Sequence, residues 1–158
     1  MLPRRVPTTC DSATPAVIAV VPVKRLERAK TRLALPPAGR ALLARAFAID
    51  TVAALCGSAG VSSVLVVTDD CEVAAVLPPQ VRVVDDPGQG LTGAVARGVT
   101  AARSARPNHS VLVVPADLPS LRSVDVDELL DQAPQSCASF APDLQGDGTT
   151  VLVLPAGS

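Results

Sequence analysis

The eight residues at 16–23 (AVIAVVPV) constrain the fold of this chain more than any other segment. All eight are apolar and five are β-branched, with no polar residue interrupting the run. A strand exposed to water on one face would alternate apolar and polar residues, whereas a strand covered by helices on both faces stays apolar throughout. The run therefore predicts a central strand of a parallel sheet, buried on both sides.

Similar apolar segments recur along the chain, separated by helical patterns. Further strands are predicted at 62–68, 81–84, 110–114, 136–141 and 150–154. The predicted helices end near Gly57, Leu77, Arg106 and Ala133, and the last begins with Ser123 as its N-cap. Alternating strands and helices with short connections are typical of an α/β fold, a three-layer sandwich around a mostly parallel sheet.

The composition fits one domain and excludes several classes of protein. The chain has 158 residues, 48% of them hydrophobic, enough for one core at 16–158, and residues 1–15 are expected to form a flexible leader. With two phenylalanines as its aromatic residues, it lacks the stacking platforms of nucleic-acid-binding proteins. No apolar run could span a membrane and no secretory signal is visible, so we expect a cytoplasmic protein. Four scattered cysteines and one histidine form no metal-binding motif.

Five cations follow the first strand within nine residues, in the segment PVKRLERAKTRL at 22–33. Up to Arg45 the chain carries a net charge of +7, against −8 for the remainder, and both of its lysines lie in this segment. Lysine and arginine in such density suit the binding of nucleotide phosphates, and the alternative is a solvated loop. The cations are Lys24, Arg25, Arg28, Lys30 and Arg32.

Asp117 lies after a later strand, in the segment PADLP between two prolines. A carboxylate at such a strand end suits a Mg²⁺ ion shared with substrate phosphates, and the alternative is an N-cap for the following helix. Two glycine-rich segments also follow strands. Residues 85–93 (DDPGQGLTG) could approach a nucleoside closely, and residues 143–150 (DLQGDGTT) could be a simple hairpin connection.

Several other chemistries lack the residues that they need. The chain has neither the GxxxxGK[ST] phosphate loop nor a GxGxxG motif after its first strand. Its single histidine, His109, precedes a strand and so lies at the wrong end of the sheet for a hydrolase triad.

PVKRLERAKTRL, DDPGQGLTGAV, VVPADLPSL and DLQGDGTTVLVL occur together and in this order. This set resembles the 2-phospho-L-lactate or phosphoenolpyruvate guanylyltransferases of coenzyme F420 biosynthesis, over about residues 17–155. The resemblance implies a Rossmann-like nucleotidyltransferase fold. It also implies a Mg²⁺-dependent reaction of GTP with a phosphorylated three-carbon acid, from which pyrophosphate leaves.

The resemblance also assigns residues. Lys24, Lys30 and Arg32 would face the GTP phosphates as catalytic cations, and Asp117 would be the metal ligand. Thr149 would contact the phosphorylated acid. Nucleotide binding would involve Pro22, Lys24, Arg25, Gly90, Leu91 and Thr92, although relatives commonly have Asn in place of Thr92. Relatives also continue past Pro155 with a glycine and serine segment and a DxDT-like segment, so the domain is expected to be incomplete at Ser158.

Other functions stay open from the sequence. The acceptor could be a sugar phosphate or a molybdopterin-type molecule, or the chain could bind GTP without turnover. Asp69 and Asp70 after a strand suggest a phosphoacceptor receiver domain, but no lysine follows Lys30 to serve its switch position. Homodimer formation is also left open.

Overall fold

In the computed structural model, residues 16–24, 36–143, 146 and 149–157 are described. The predicted leader at 1–15 lies outside them. The strands are β1 (Val17–Pro22), β2 (Val61–Val67), β3 (Arg82–Val84), β4 (Ser110–Val113), β5 (Ser139–Pro142) and β6 (Thr149–Leu154). The helices are α1 (Pro37–Gly57), α2 (Cys71–Val76), α3 (Gly90–Ala105) and α4 (Ser123–Gln132).

The six strands form one sheet in the order β3-β2-β1-β4-β6-β5. β1 pairs in parallel with both β2 and β4, and β2 pairs in parallel with β3. β6 is antiparallel to both of its neighbours, β4 and β5. The prediction of a mostly parallel α/β sheet is therefore confirmed. The chain adds β2 and β3 on one side of β1 and then crosses to add β4 on the other side, which makes the β1/β4 boundary the topological switch point.

β1 shows why the fold needs an uninterrupted apolar segment. Val17, Ala19 and Val21 face a core cluster that they share with α1 and α4. Ile18 and Val20 face the opposite cluster, shared with α3. All five side chains are at most 3% exposed. Because successive side chains of a strand point to opposite faces, a strand between two helical layers has no position for a polar residue.

Gly98 lets α3 lie close to the sheet. A Cβ atom at this position would overlap the Cγ1 atom of Val20 and the Cγ2 atom of Val67. The close approach places the first turn of α3 at the carboxyl ends of β1 and β2, which is where the candidate site lies.

The predicted N-cap of α4 is wrong by one residue. Ser123 is the first helical residue, and Arg122 is the N-cap, with an extended backbone (φ −114°, ψ 154°). The carboxylate of Asp125 accepts a hydrogen bond from the Arg122 backbone N–H at 2.9 Å, and it also binds the Arg122 guanidinium. This local pairing fixes the start of the helix without a serine cap.

None of the helices described here combines the length and the apolar character that a bilayer crossing requires.

Candidate nucleotide-binding site

A cavity of about 520 Å³ opens at the carboxyl ends of β1, β2 and β3. Its volume falls within the roughly 300–1,000 Å³ that small-molecule sites usually have. It collects residues from three strand ends and from the start of α3: Pro22, Val23, Lys24, Asp69, Asp86, Gly88, Gly90, Leu91 and Ala94. Four residues predicted to bind nucleotide, Pro22, Lys24, Gly90 and Leu91, thus lie together.

Lys24 stands at the end of a firmly held strand. The backbone N–H of Val23 donates to the carbonyl oxygen of Val67 at 2.9 Å, and the Val23 side chain is 5% exposed. Lys24, one residue later, is exposed and lines the cavity. A fixed backbone with an exposed ammonium group suits the neutralisation of phosphate charge.

The segment 85–90, here called the glycine loop, forms the opposite wall. Gly88 and Gly90 have φ values of 72° and 76°, in the left-handed region where other residues are strained. A Cβ atom at either position would meet nothing within 4 Å, so the need for glycine comes from the backbone and not from crowding. The Gly88 N–H donates to the Asp86 carboxylate at 2.9 Å, which shapes the turn.

The first turn of α3 lies at the cavity, which Gly90 and Leu91 line. Its N-cap, Gln89, makes no side-chain cap hydrogen bond, and no acidic residue occurs in this first turn. The first N–H groups of a helix have no partner within the helix, and together with the positive end of the helix dipole they favour hydrogen-bond acceptors and anions. Leu91 is 54% exposed in the same turn. Thr92 is exposed too, but it is not among the cavity-lining residues.

Asp69 and Asp70 are adjacent in sequence, but they lie in different surroundings. Asp70 is the N-cap of α2, and its carboxylate accepts hydrogen bonds from the backbone N–H groups of Glu72 and Val73. Asp69 lines the cavity. The pair that suggested a phosphoacceptor therefore divides into a structural cap and a cavity carboxylate.

Asp117 lies at the same edge of the sheet, in the loop at 114–121, here called the anchored loop. The Leu118 N–H donates to the Thr51 hydroxyl at 3.2 Å, and the Val114 N–H donates to the Val20 carbonyl oxygen at 3.0 Å. Asp117 itself is exposed. α4 begins after its own N-cap at Arg122, so the alternative that Asp117 caps this helix is wrong.

The switch point brings Lys24 and Asp117 to neighbouring strand ends. β1 ends two residues before Lys24, and β4, its parallel partner, ends four residues before Asp117. Asp117 does not line the 520 Å³ cavity. Ligands of open α/β sheets bind in the crevice at such a switch point, so the cavity and the anchored loop belong to one edge that a ligand could bridge.

Thr149 lies at this edge as well. It is the first residue of β6, which runs antiparallel to β4 with Leu152 opposite Val113. The start of β6 therefore lies beside the carboxyl end of β4, and Thr149 is exposed there. β5 and β6 pair as antiparallel neighbours, and most of the segment that connects them lies outside the described residues.

Three predicted site residues, Arg25, Lys30 and Arg32, lie outside the described residues. The structure also places Asp69, Asp86 and Gly88 in the cavity, none of which was assigned individually to nucleotide binding. Asp86 and Gly88 belong to the glycine-rich segment at 85–93 that was singled out as a whole, and Asp69 was considered only as a phosphoacceptor. All three lie just beyond predicted strands, so the rule that pointed to Asp117 could have found them.

The described residues contain no group of three or more His, Cys, Asp and Glu side chains that could hold a metal ion. They do not form an all-protein metal cage. Mg²⁺, however, is commonly held by one or two carboxylates together with substrate phosphates and water. An exposed Asp117 beside the cationic end of β1 fits this second mode.

The opposite edge of the sheet carries structural contacts. His109 immediately precedes β4 and thus lies there, away from the cavity. Asp127 accepts hydrogen bonds from the Ser58 hydroxyl and the Gly60 N–H, which precede β2. These bonds, of which that from Ser58 has the largest effect, hold the pKa of the Asp127 carboxyl below its ordinary value.

Cys56, Cys71 and Cys137 are free thiols, and burial raises the pKa of the Cys56 thiol.

Comparison with known proteins places the chain among nucleotidyltransferases. The MobA-like NTP transferase domain matches residues 23–157. The chain is 45% identical over 143 residues to the phosphoenolpyruvate guanylyltransferase of Streptomyces coelicolor, and 47% identical over 142 residues to that of Thermomonospora curvata. Each match covers 87% of this chain, which spans 67% and 62% of the two relatives.

Solved structures agree on the fold. A protein from Desulfovibrio desulfuricans G20 described as a nucleotide-diphospho-sugar transferase superposes with a TM-score of 0.73, covering 89% of this chain and 63% of that one at 20% identity. A 4-diphosphocytidyl-2C-methyl-D-erythritol synthase gives a TM-score of 0.59 at 18% identity, covering 90% and 76% of the two chains. The Rossmann-like nucleotidyltransferase fold is thereby confirmed.

Proposed function

We propose that this chain, which belongs to the MobA-like NTP transferase family and within it to the phosphoenolpyruvate guanylyltransferases, transfers GMP from GTP to phosphoenolpyruvate or 2-phospho-L-lactate. Pyrophosphate leaves, and the product serves coenzyme F420 biosynthesis in the cytoplasm. The observation that carries the proposal is the placement of Lys24 and Asp117 at neighbouring strand ends, on either side of the switch point, beside a cavity of nucleotide size.

In the proposed reaction, a phosphate oxygen of the acid attacks the α-phosphorus of GTP in line. The new bond joins that oxygen to the α-phosphorus, and the bond from the α-phosphorus to the β-phosphate oxygen breaks. Such transfers need positioning and charge stabilisation more than a protein nucleophile. This requirement fits an edge that offers a lysine, a carboxylate and backbone N–H groups.

The chain's own groups divide this work. Lys24 neutralises phosphate charge at the mouth of the cavity, together with Lys30 and Arg32 of the same basic segment. The glycine loop and the first turn of α3 hold the nucleoside through backbone contacts. Thr149, on the far side of β4, contacts the phosphorylated acid.

Asp117 is proposed to ligate Mg²⁺ jointly with the GTP phosphates. When bound, the ion would polarise the α-phosphate and offset the charge that develops on the leaving pyrophosphate. Asp117 would thus hold the phosphates in register with Lys24, and a single protein carboxylate is sufficient because the nucleotide supplies further oxygen ligands.

The direct test is pyrophosphate release by the purified chain, supplied with Mg²⁺, GTP or CTP, and one acceptor at a time. Phosphoenolpyruvate, 2-phospho-L-lactate and a sugar 1-phosphate form the acceptor panel, and mass spectrometry identifies the product. We expect GTP with a phosphorylated three-carbon acid to give the guanylylated acid. A preference for CTP or for the sugar phosphate would contradict the proposal, as would GTP binding without any product.

Substitution of one cation at each edge of the sheet tests which edge carries the activity. Lys24→Ala should lower kcat/KM roughly 10²–10³-fold, the usual effect of removing one group that stabilises transition-state charge. Arg106→Ala is the matched control, because Arg106 is an exposed cation after α3 at the opposite edge of the sheet. Equal effects of the two substitutions would exclude a specific role for Lys24.

A further inference from the structure

Thr51 is a polar residue in an apolar environment. It lies on α1, has 0% of its surface exposed, and is flanked in the buried face of that helix by Ala48, Val52 and Leu55. A buried hydroxyl without a hydrogen-bond partner is unfavourable, so a residue of this kind is retained where it finds one.

The partner of Thr51 lies 67 residues away in sequence. The Leu118 backbone N–H donates to the Thr51 hydroxyl oxygen at 3.2 Å. This hydrogen bond joins the C-terminal half of α1 to the residue that immediately follows Asp117. A valine, similar in shape to threonine, would fill the same space and leave the Leu118 N–H without this acceptor.

The remaining contacts of the anchored loop also hold it against the core. Ala116, Leu118 and Leu121 are partly buried and pack against the core cluster that contains Val52 and Leu55. The Leu121 N–H donates to the Leu118 carbonyl oxygen at 3.0 Å, which closes a turn after Leu118. Both chain neighbours of Asp117 therefore face the core, whereas Asp117 is exposed.

We infer that Thr51 is a positioning residue for this site: its buried hydroxyl fixes the backbone of the anchored loop and so holds Asp117 in place for the metal-bound nucleotide. The inference rests on the proposed function for the role of Asp117, but the hydrogen bond that carries it does not. Outer-shell partners that orient a metal ligand typically contribute 10–100-fold to metal affinity or activity.

The test compares Thr51→Val, which removes the hydroxyl, with Thr51→Ser, which keeps it. Amide hydrogen exchange of Leu118 is measured in the chain without nucleotide, and calorimetry gives the Kd of GTP with and without Mg²⁺. We expect Thr51→Val to speed exchange at Leu118 and to weaken the Mg²⁺-dependent part of GTP affinity roughly 10-fold or more. Thr51→Ser should retain both properties. Thr51→Ala is the second hydroxyl-free variant, in case valine disturbs folding.

Ser58→Ala is the matched control. It removes another buried hydroxyl, at the end of α1, whose hydrogen bond to Asp127 lies at the opposite edge of the sheet. This variant should lower the thermal unfolding midpoint without changing Leu118 exchange or the Mg²⁺ dependence of GTP binding. If Thr51→Val and Ser58→Ala behave alike, Thr51 contributes to stability alone and the inference is overturned.

The outcome also separates this inference from the proposed function. If Asp117→Asn leaves the Mg²⁺ dependence of GTP binding unchanged, the proposed role of Asp117 fails whatever Thr51 does. If Asp117→Asn abolishes that dependence while Thr51→Val and Thr51→Ala preserve it, the positioning role alone is wrong.

Discussion

The two loops at the ligand-binding edge are built in opposite ways. The anchored loop is tied to the core through Thr51 and through the packing of Leu118 and Leu121, and it exposes one carboxylate. The glycine loop is exposed over most of its length and takes its shape from two left-handed glycines and one Asp86 hydrogen bond. The anchored loop fixes the position of one side chain, whereas the glycine loop offers a close approach to its backbone.

This difference fits the two tasks of a nucleotidyltransferase. A metal ligand must be placed to within a fraction of an ångström, which requires a loop whose neighbours are buried. A nucleoside can be held by backbone N–H groups, which require close approach and tolerate little side-chain bulk. The substitutions below would break or sharpen this division.

Asp117→Asn should have the largest effect. It removes the charge of the anchored loop's exposed carboxylate, and we expect kcat to fall roughly 10²–10³-fold, the range seen when one stabilising group is lost. The Mg²⁺-dependent part of GTP affinity should fall as well, whereas the affinity for GTP without Mg²⁺ should stay the same if the glycine loop holds the nucleoside. Steady-state pyrophosphate release and calorimetry check this, and an unchanged kcat would mean that Asp117 contributes to nucleotide binding alone.

Gly98→Ala tests the support beneath the glycine loop. The added methyl group would overlap Val20 and Val67, and overpacking of this kind typically costs about 1–3 kcal/mol of unfolding free energy. Urea unfolding measures the effect. Ser104→Ala, on the exposed side of the same helix, is the control and should stay within about 0.5 kcal/mol of the parent.

Gly90→Ala acts on the glycine loop directly. Its φ of 76° should cost an L-residue about 1–2 kcal/mol, and the open space around it excludes a steric explanation. We expect weaker GTP binding by calorimetry as the loop shifts to relieve the strain. Gly90→Asn should be milder, because asparagine tolerates left-handed backbone better. Equal affinity in all three proteins would mean that this geometry does not matter for binding.

The smallest effect is expected at Asp127, at the edge opposite both loops. Hydrogen bonds to its charged form, led by that from Ser58, keep its pKa in the folded state below the unfolded value of about 3.9. The stability from this group is therefore present above that value and is lost as the pH falls through the lowered pKa of the folded state.

Thermal unfolding of the parent chain and of Asp127→Asn should consequently differ at pH 7 and converge in strong acid. GTP affinity at pH 7 should be the same in both proteins. The midpoints of the two proteins could instead differ by the same amount at the lowest pH. That result would show that the charge of the Asp127 carboxylate does not stabilise its contacts with Ser58 and Gly60.

The sequence predicted the central strands well because each combines a long apolar run with a clear stop. β5 was harder: residues 136–141 were predicted, but the strand covers Ser139–Pro142. The side chains of this edge strand alternate between partly buried and exposed, and Phe140 is 64% exposed. The strand therefore lacks the continuous apolar run that defines the ends of a buried strand in the sequence. The order of strands depends on pairing between distant segments, and no local pattern reports it.

For the site, the rule that ligands bind at strand ends pointed to Asp117 and to the segments at 22–33 and 85–93, and the family resemblance then selected Lys24 and Gly90 within these segments. It could not separate Asp69 from Asp70, since both follow β2 and only their surroundings distinguish the cavity carboxylate from the helix cap. Thr51 gave no signal, because a threonine in an alanine-rich helix looks unremarkable until the fold places Leu118 beside it.

Amide hydrogen exchange of the parent chain, measured with and without GTP and Mg²⁺, tests most directly where the nucleotide binds. The two-loop account predicts slower exchange at residues 86–94, along the glycine loop and the first turns of α3, and at Leu118 once Mg²⁺ is present. Exchange at residues 106–109 and 58–60, at the opposite edge, should not change. Protection confined to that opposite edge, or none at the glycine loop under saturating GTP, would contradict the account.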